Sequence, residues 1–353
     1  MKRFSATGHY LLLAFACNLF GEPAQKPVDT ITFGSCAKQY QPQPIWDSIL
    51  QLDPDLFVFL GDNIYGDTQD MEKLRAKYQQ LGAIPGFQQL RKHCPILATW
   101  DDHDYGRNDA GAEFPMKKQS RDIFLDFFGE PPDSPRRKHP GVYDSKTYGA
   151  PGKRIQFILL DTRYFRGPLN KVGKPRNPND KRWGPYLPSK DKASTILGEA
   201  QWAWLEKKLQ EPAELRILAS SIQVISDQHG WECWGNLPHE RDRLYNLLRK
   251  TRANGVIILS GDRHQGEISR MTDKLPYPLH DITASGMNWR GRPVVEKNPY
   301  RIGPLYREEH FGAILIDWKK SDPSITLQIR NLQGQTISQT QTSLQKLQFP
   351  DKK

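Results

Sequence analysis

The chain has 353 residues, 37% apolar and 25% charged, enough to bury one large core or two modest ones, which excludes disordered, collagen-like and fibrous classes. A mean hydropathy of −0.69 and the lack of any long apolar run exclude a multispanning membrane protein. The formal net charge of +10 leaves phosphorylated substrates, nucleic acid and anionic surfaces open as partners, beside a merely solvated basic surface.

The chain opens with Met1, Lys2 and Arg3, followed by an apolar stretch from Tyr10 to Phe20 and then Gly21. A cationic start, an apolar segment too short to span a bilayer and the small-residue step Ala14-Phe15-Ala16 read as a secretory signal over residues 1–21. The expectation is an exported protein, periplasmic or extracellular, with a mature charge of about +8 once Lys2 and Arg3 are removed. Cys17 offers a site for a lipid anchor, although Ala14 stands where such sequences usually carry Leu. The mature Cys36, Cys94 and Cys233 are odd in number and widely spaced. That argues against a disulfide framework and leaves at least one cysteine for another job.

Short β-branched and aromatic runs follow one another along the chain: Ile31–Phe33, Leu56–Leu60, Ile96–Trp100, Ile155–Leu160, Ile217–Ala219 and Val256–Leu259. Helical spacing lies between them, in Met71, Leu74, Tyr78 and Leu81, in Trp202, Leu205 and Leu209, and in Leu244, Leu247 and Leu248 before a stop at Asn254-Gly255. Such alternation predicts an α/β fold. Near the C-terminus, Phe311–Trp318, Ser324–Arg330 and Thr336–Thr340 alternate and predict an antiparallel meander extending a second sheet.

Ligands of open α/β sheets bind outside the carboxyl ends of the strands. Here five strand ends carry Gly34-Ser35-Cys36, Gly61-Asp62-Asn63-Ile64-Tyr65, Asp101-Asp102-His103-Asp104, Asp161-Thr162-Arg163 and Gly261-Asp262-Arg263-His264. One Gly-Asp pair would be an ordinary turn. Five polar ends together point to a site. Asp62 after a glycine can set its carboxylate between two cations. The thiol of Cys36 and the phenol of Tyr65 suit a Lewis-acidic transition ion, whereas Asp102 and Asp262 offer the hard oxygens preferred by Ca²⁺, Mg²⁺ or Mn²⁺. Such metals would lower the pKa of water to give hydroxide near neutral pH and would hold phosphoryl oxygens during in-line displacement. His103 and Arg163 could then steady charge on the phosphoryl group.

Taken in this order, Phe33-Gly34-Ser35-Cys36, Gly61 to Tyr65, Trp100 to Asp104, Leu160 to Arg163 and Gly261 to His264 resemble the PhoD-type alkaline phosphatase/phosphodiesterases of the calcineurin-like metallophosphoesterase superfamily, from about Ile31 to about Ser269. The resemblance implies a two-sheet β-sandwich flanked by helices, in four layers. It also implies hydrolysis of phosphomonoesters, phosphodiesters or both outside the cytoplasm, and a centre using Fe³⁺ and Ca²⁺, with Mn²⁺, Zn²⁺ or Mg²⁺ as other divalent candidates, related to that of purple acid phosphatases. It puts Cys36, Tyr65 and His264 on the iron side, Asp62 on the bridging position, and Asp102 and Asp262 on the second metal. His103 and Arg163 fall beside the reacting group, and Asn63, Asp104 and Trp231 in supporting or substrate-facing positions. The partners implied are small phosphorylated substrates or phosphodiesters, with no stable nucleic-acid complex and no transmembrane span; the sequence leaves the oligomeric state open, with a monomer favoured. Residues 22–350 read as one catalytic domain without the N-terminal β-domain of longer members.

The pattern departs from the family at two further points. Asp104 replaces the usual Glu after the motif histidine and is expected to hold His103 rather than a metal. Where a Val-x-x-His motif is expected near Ser220–Ile225, the chain has Gln223, with His229 beyond it. The loop from His229 to Asn236 reads either as a packed loop or as a pocket rim with Trp231 and Trp234. The Pro-, Gly- and Lys/Arg-rich segment from Phe165 to Lys192, with Lys171, Lys174, Arg176, Lys181 and Arg182, reads as a lid or a solvated basic loop. Asn288 to Pro293 offers a substrate-facing loop, and Cys94 and Cys233 read as plain buried thiols. A basic exported protein that binds phosphate or polyanions without turnover is the competing class. A serine hydrolase lacks its Gly-x-Ser-x-Gly elbow, and a dinucleotide-binding oxidoreductase lacks Gly-x-Gly-x-x-Gly after the first strand.

Overall fold

The computed structural model describes residues 27–173, 182–293 and 296–350. The expected signal segment, Cys17 and the loop residues Lys174, Arg176 and Lys181 lie outside the described residues. In chain order the strands are β1 (Thr30–Gly34), β2 (Leu56–Leu60), β3 (Ile96–Thr99), β4 (Asp144–Tyr148), β5 (Ile155–Leu159), β6 (Asn170–Lys171), β7 (Tyr186–Leu187), β8 (Leu215–Ala219), β9 (Val256–Ser260), β10 (Gly266–Met271), β11 (Leu279–Ala284), β12 (Arg301–Tyr306), β13 (His310–Asp317), β14 (Ser324–Asn331) and β15 (Thr336–Ser343). The helices are α1 (Ile45–Leu50), α2 (Met71–Gly82), α3 (Pro85–His93), α4 (Asp102–Tyr105), α5 (Lys117–Phe127), α6 (Gly198–Leu209) and α7 (Pro238–Thr251).

Two mixed sheets form, ordered β15-β14-β13-β1-β2-β3 and β12-β10-β11-β9-β8-β5-β4, with β6 and β7 paired apart. In the first, β1, β2 and β3 run parallel while β13 pairs antiparallel with β1. In the second, β5, β8, β9 and β11 run parallel. The C-terminal meander therefore extends the sheet of the first strand, which sequence order alone does not indicate. Alternation along β2 explains how that sheet serves two cores. Leu56, Val58 and Leu60 join one with Ile31 and Phe33 and with the strands of the second sheet. Phe57 and Phe59 face the other, beneath α1, α2, α3 and α5. There Trp46 packs its ring 5.5 Å from Phe57 and 5.6 Å from Phe87. Each such side chain, fully buried, contributes roughly 1.5–3 kcal/mol.

The helices keep the predicted spacing. Asp70 caps α2 by accepting from the backbone N–H groups of Glu72 and Lys73. From the same helix Lys77 donates to the carbonyls of Tyr65 and Gly66 at 2.9 and 2.7 Å, so α2 clamps the loop that carries Tyr65. Helix α7 ends at Thr251, before the predicted stop, because Arg252 adopts a left-handed conformation with φ 50°.

Candidate active site

The carboxyl ends of the parallel strands of both sheets meet at one edge, and two glycines permit it. A Cβ on Gly61 would stand 2.4 Å from Asp101 Cβ, and one on Gly261 would stand 2.6 Å from Ser35 Oγ and 3.0 Å from the carbonyls of Leu60 and Ser221. Strand ends β1, β2, β8 and β9 thereby touch. Beyond them the backbone is strained: Cys36, Asp62, Asp67, Asp109, Asp262 and His264 all have φ between 45° and 65°. Left-handed conformations at non-glycine residues persist only where the surroundings over-determine them, and they gather at functional sites.

One half of the site floor carries sulfur and phenol. The Cys36 thiol and the Tyr65 hydroxyl each donate to Asp62 Oδ2 at 3.4 Å, and Tyr65 Oη lies 3.3 Å from His264 Nε2. The imidazole of His264 stacks on Trp289 at 4.1 Å, and Lys38 Nζ sits 3.0 Å over the same indole. Ser285 Oγ accepts from the His264 N–H at 2.8 Å and stands 3.1 Å from Cys36 Sγ. The serine N–H in turn donates to His310 Nε2 at 3.0 Å, and His310 Nδ1 donates to the Glu308 carbonyl at 2.7 Å. His310 is thereby fixed neutral, and burial pushes its pKa down to about 4.

The other half carries carboxylates. Asp101, Asp102 and Asp262 come together at the ends of β3 and β9. Beneath them Arg163 is wholly buried, bonded through Nε to Asp101 at 2.5 Å and through Nη1 to Glu232 at 2.6 Å, and it reaches Asp102 at 3.9 Å. Glu232 also pairs with buried Arg166 at 2.9 Å. This corrects the expectation for Arg163. Its guanidinium lies under the floor, enclosed by the carboxylates it neutralises, rather than beside a reacting group. Asp104 is corrected as well. It accepts from Asn63 Nδ2 at 2.6 Å and from the Asp101 N–H at 2.6 Å, pinning the two strand ends to each other. Asp67 is the residue that holds His103, at 2.7 and 2.9 Å from Nδ1. Although burial opposes the cation, Asp102, Asp62 and Asp67 hold the His103 pKa up to about 11.

The donor set fits cations. Cys36, Asp62 and His264 bring ligand atoms within 4.8 Å of one another, as do Asp62, Asp102 and His103, and Asp101, Asp102 and Asp262. Asp62 thus lies in the middle of the floor. Buried oxygens Asp101 Oδ2 and Asp102 Oδ1 have no hydrogen-bond partner. Burial, reinforced by neighbouring acids, drives the pKa values of Asp62 and Asp262 well above the ordinary carboxylate range, and burial with the Asp62 charge does the same to the Cys36 thiol. Asp102 is the exception, held low against its burial by His103 and Arg163. His264 is kept neutral at about 3 by burial and Arg263, leaving its imidazole free to bind a metal. A crowded acid cluster of this kind is relieved when cations take the place of protons.

A cleft opens above the floor, lined by Asp102, His103, Asn108, Asp109, Trp231, Asp262, Arg263, His264 and Arg292. Trp231 is therefore on its wall, whereas Trp234 is fully buried. The Phe165–Lys192 loop is folded against the cleft where it is described. β6 and β7 pair, Tyr186 Oη donates to Asp109, and the Trp183, Gly184 and Tyr186 N–H groups donate to the carbonyls of His229 and Gly230. Gln223 is bonded to Glu267 and Thr283 and His229 is wholly buried, and neither lines the cleft. Cys94 and Cys233 are free buried thiols, each pushed up to about 12 by burial.

Sequence reasoning missed Asp67, Glu232, Ser285 and His310. Only Asp67 left a local trace, as a second Gly-Asp pair directly after Tyr65.

Residues 31–300 match the family described as PhoD-like phosphatase. Alkaline phosphatase D of Bacillus subtilis (strain 168) is 24% identical over 308 residues, which cover 75% of this chain and 51% of that protein, so the chain spans about half the length of the curated relative it matches. Among solved structures, that of PhoD superposes with a TM-score of 0.66 at 17% identity, covering 90% of this chain and 73% of the other. A purple acid phosphatase from yellow lupin (Lupinus luteus) seeds gives 0.61 at 15% identity, covering 91% and 55%. These likenesses establish the metallophosphoesterase-like α/β fold, and the match over most of the chain, on top of the five strand ends, establishes that it belongs to the PhoD-like phosphatase family.

Proposed function

We propose that this chain is a metal-dependent hydrolase of phosphate esters. The observation that carries the reading is the buried Asp62 carboxylate between a thiol–phenol–imidazole group and a carboxylate group, with neighbouring acid oxygens left unpartnered. A protein built only to capture anions would present N–H groups and cations, whereas this floor is acidic. Cys36, Tyr65, Asp62 and His264 would hold one metal and Asp62, Asp102 and Asp262 the other, with Fe³⁺ suited to the first set and Ca²⁺ to the second. Bound there, two cations supply Lewis acidity, an acidified water and a clamp on the phosphoryl oxygens.

The chain's own groups do the rest. His103, fixed through Nδ1 by Asp67, lines the cleft where it can meet the phosphoryl group. Arg163 acts from below as a positioning residue. It helps hold the Asp102 pKa low, opposes the burial that raises that of Asp101, and fixes both carboxylates in direction. Asn63 ties the end of β2 to that of β3 through Asp104 and the Thr99 carbonyl. The cationic start and short apolar stretch of residues 1–21 support the reading that the protein is exported.

The test is release of p-nitrophenol from mono- and bis-p-nitrophenyl phosphate by the full chain loaded with iron and calcium, or with Mn²⁺, Zn²⁺ or Mg²⁺. Turnover should vanish with chelator. Asp62→Asn should lower it by about a thousandfold or more while the unfolding midpoint holds, because an amide cannot bridge two cations. Near-normal rates in Asp62→Asn would end the two-metal reading.

A further inference from the structure

One wall of the cleft carries two arginines against the same indole. The guanidinium carbon of Arg263 lies 5.4 Å from the centre of the Trp231 ring and that of Arg292 lies 4.5 Å from it. The two are not equivalent. Arg263 is tucked in, paired with Glu296 and 3.8 Å from Asp262. Arg292 is exposed and, among the described residues, has no carboxylate partner. The acidic groups that share the cleft are committed elsewhere: Glu232 to Arg163 and Arg166, Asp109 to Tyr186, Glu296 to Arg263 and Gln265. Contacts run from Asp262 to Arg263, from Arg263 to Trp231 and from Trp231 to Arg292. Arg292 lines the same cleft and is the exposed arginine of the pair.

A guanidinium seated on an aromatic face is held in place before any ligand arrives, so less side-chain freedom is lost on binding. Its planar fork fits phosphate or carboxylate oxygens in a bidentate way, and a cleft concentrates its field. Asn108, exposed, lines the same cleft and adds an amide.

We propose that Arg292, braced by Trp231, is a subsite for a second anionic group of the substrate. The substrate class is then phosphate esters whose alcohol portion carries a further phosphate or carboxylate. This deepens the phosphate-ester reading and rests on it. Esters with a neutral alcohol are bound by the floor and His103 alone, whereas those with a second charge gain the Arg292 contact.

The experiment compares butane-1,4-diol bisphosphate with n-butyl phosphate by phosphate release from the metal-loaded full chain. In the wild type kcat/KM should favour the bisphosphate by about tenfold, beyond the statistical factor of about two for its equivalent ends. Arg292→Ala should bring that ratio down towards the statistical value, through KM rather than kcat. Arg292→Lys should keep part of the preference, Trp231→Leu should lose part of it, and about 0.5 M salt should weaken it. Absence of a preference in the wild type, or a preference that survives in Arg292→Ala, overturns the subsite. If no ester is turned over, the phosphate-ester reading fails by itself. Calorimetric binding of hexane-1,6-bisphosphonate against hexylphosphonate then decides the subsite separately. An affinity gain lost in Arg292→Ala upholds it, and equal affinities overturn it.

Discussion

Around Cys36 the supporting groups are neutral hydrogen-bonding partners, Ser285 and behind it His310, whereas beneath Asp101 and Asp102 the support is a buried guanidinium. The difference follows from what each half of the floor must offer. As the proposed metal ligand, the Cys36 sulfur would need direction without competition for its charge, and a hydroxyl dipole gives it that. The serine oxygen already accepts from the His264 N–H, so its own proton is available to the Cys36 sulfur. A cluster of carboxylates needs part of its charge cancelled before it can be buried at all, and Arg163 cancels part while leaving Asp102 Oδ1 and Asp101 Oδ2 without hydrogen bonds. One half is tuned and the other is neutralised.

The comparison can be broken most forcefully at Arg163. Arg163→Met should lower the unfolding free energy by about 3–5 kcal/mol, since it takes the paired cation from buried Asp101 and leaves Glu232 with Arg166 alone. Joint replacement, Arg163→Met with Asp101→Asn, should cost less than Arg163→Met alone, because the carboxylate left without its cation is removed with it. Urea unfolding of the three chains measures this. A loss under about 0.5 kcal/mol for the single variant would mean that the guanidinium does not bear the charge of the floor.

A smaller effect is expected where the two halves meet, at His103. Asp67→Asn should lower kcat by about ten- to a hundredfold with metal content unchanged, because the imidazole loses the carboxylate that fixes its ring and its charge. Adding Asp67→Asn to His103→Ala should then cost nothing further. Additive losses would show that Asp67 acts on its own account.

The smallest effect tests the sulfur half. Ser285→Ala should shift the thiolate-to-metal absorption of the iron-loaded protein and weaken retention of that metal by about tenfold at most, while calcium content stays constant. Cys36→Ser should abolish the same absorption. A spectrum unchanged in Ser285→Ala would mean that the serine only braces the His264 backbone.

The parallel strands of both sheets other than β11, and the residues that close them, were legible because each is a local pattern: a short β-branched run, then a glycine or an acidic turn. That is why Cys36, Asp62, Asp102, Asp262 and His264 could be picked out one strand at a time, and why the helical spacing of Met71, Leu74, Tyr78 and Leu81 reappears as α2. What those residues lean on was not legible. His103 finds its partner 36 residues away in Asp67, Arg163 finds Glu232 at 69, and Cys36 finds Ser285 at 249. The meander strands β13, β14 and β15 show clear alternation, yet nothing within them says that they pair with β1 rather than with the sheet that precedes them in the chain. Periodicity fixes which face of a strand is buried, because side chains alternate whatever the neighbour is. The choice of neighbour, and with it the choice of which buried charge meets which counter-charge, depends on how two complete sheets close over a common core, and that is decided only when the whole chain has folded.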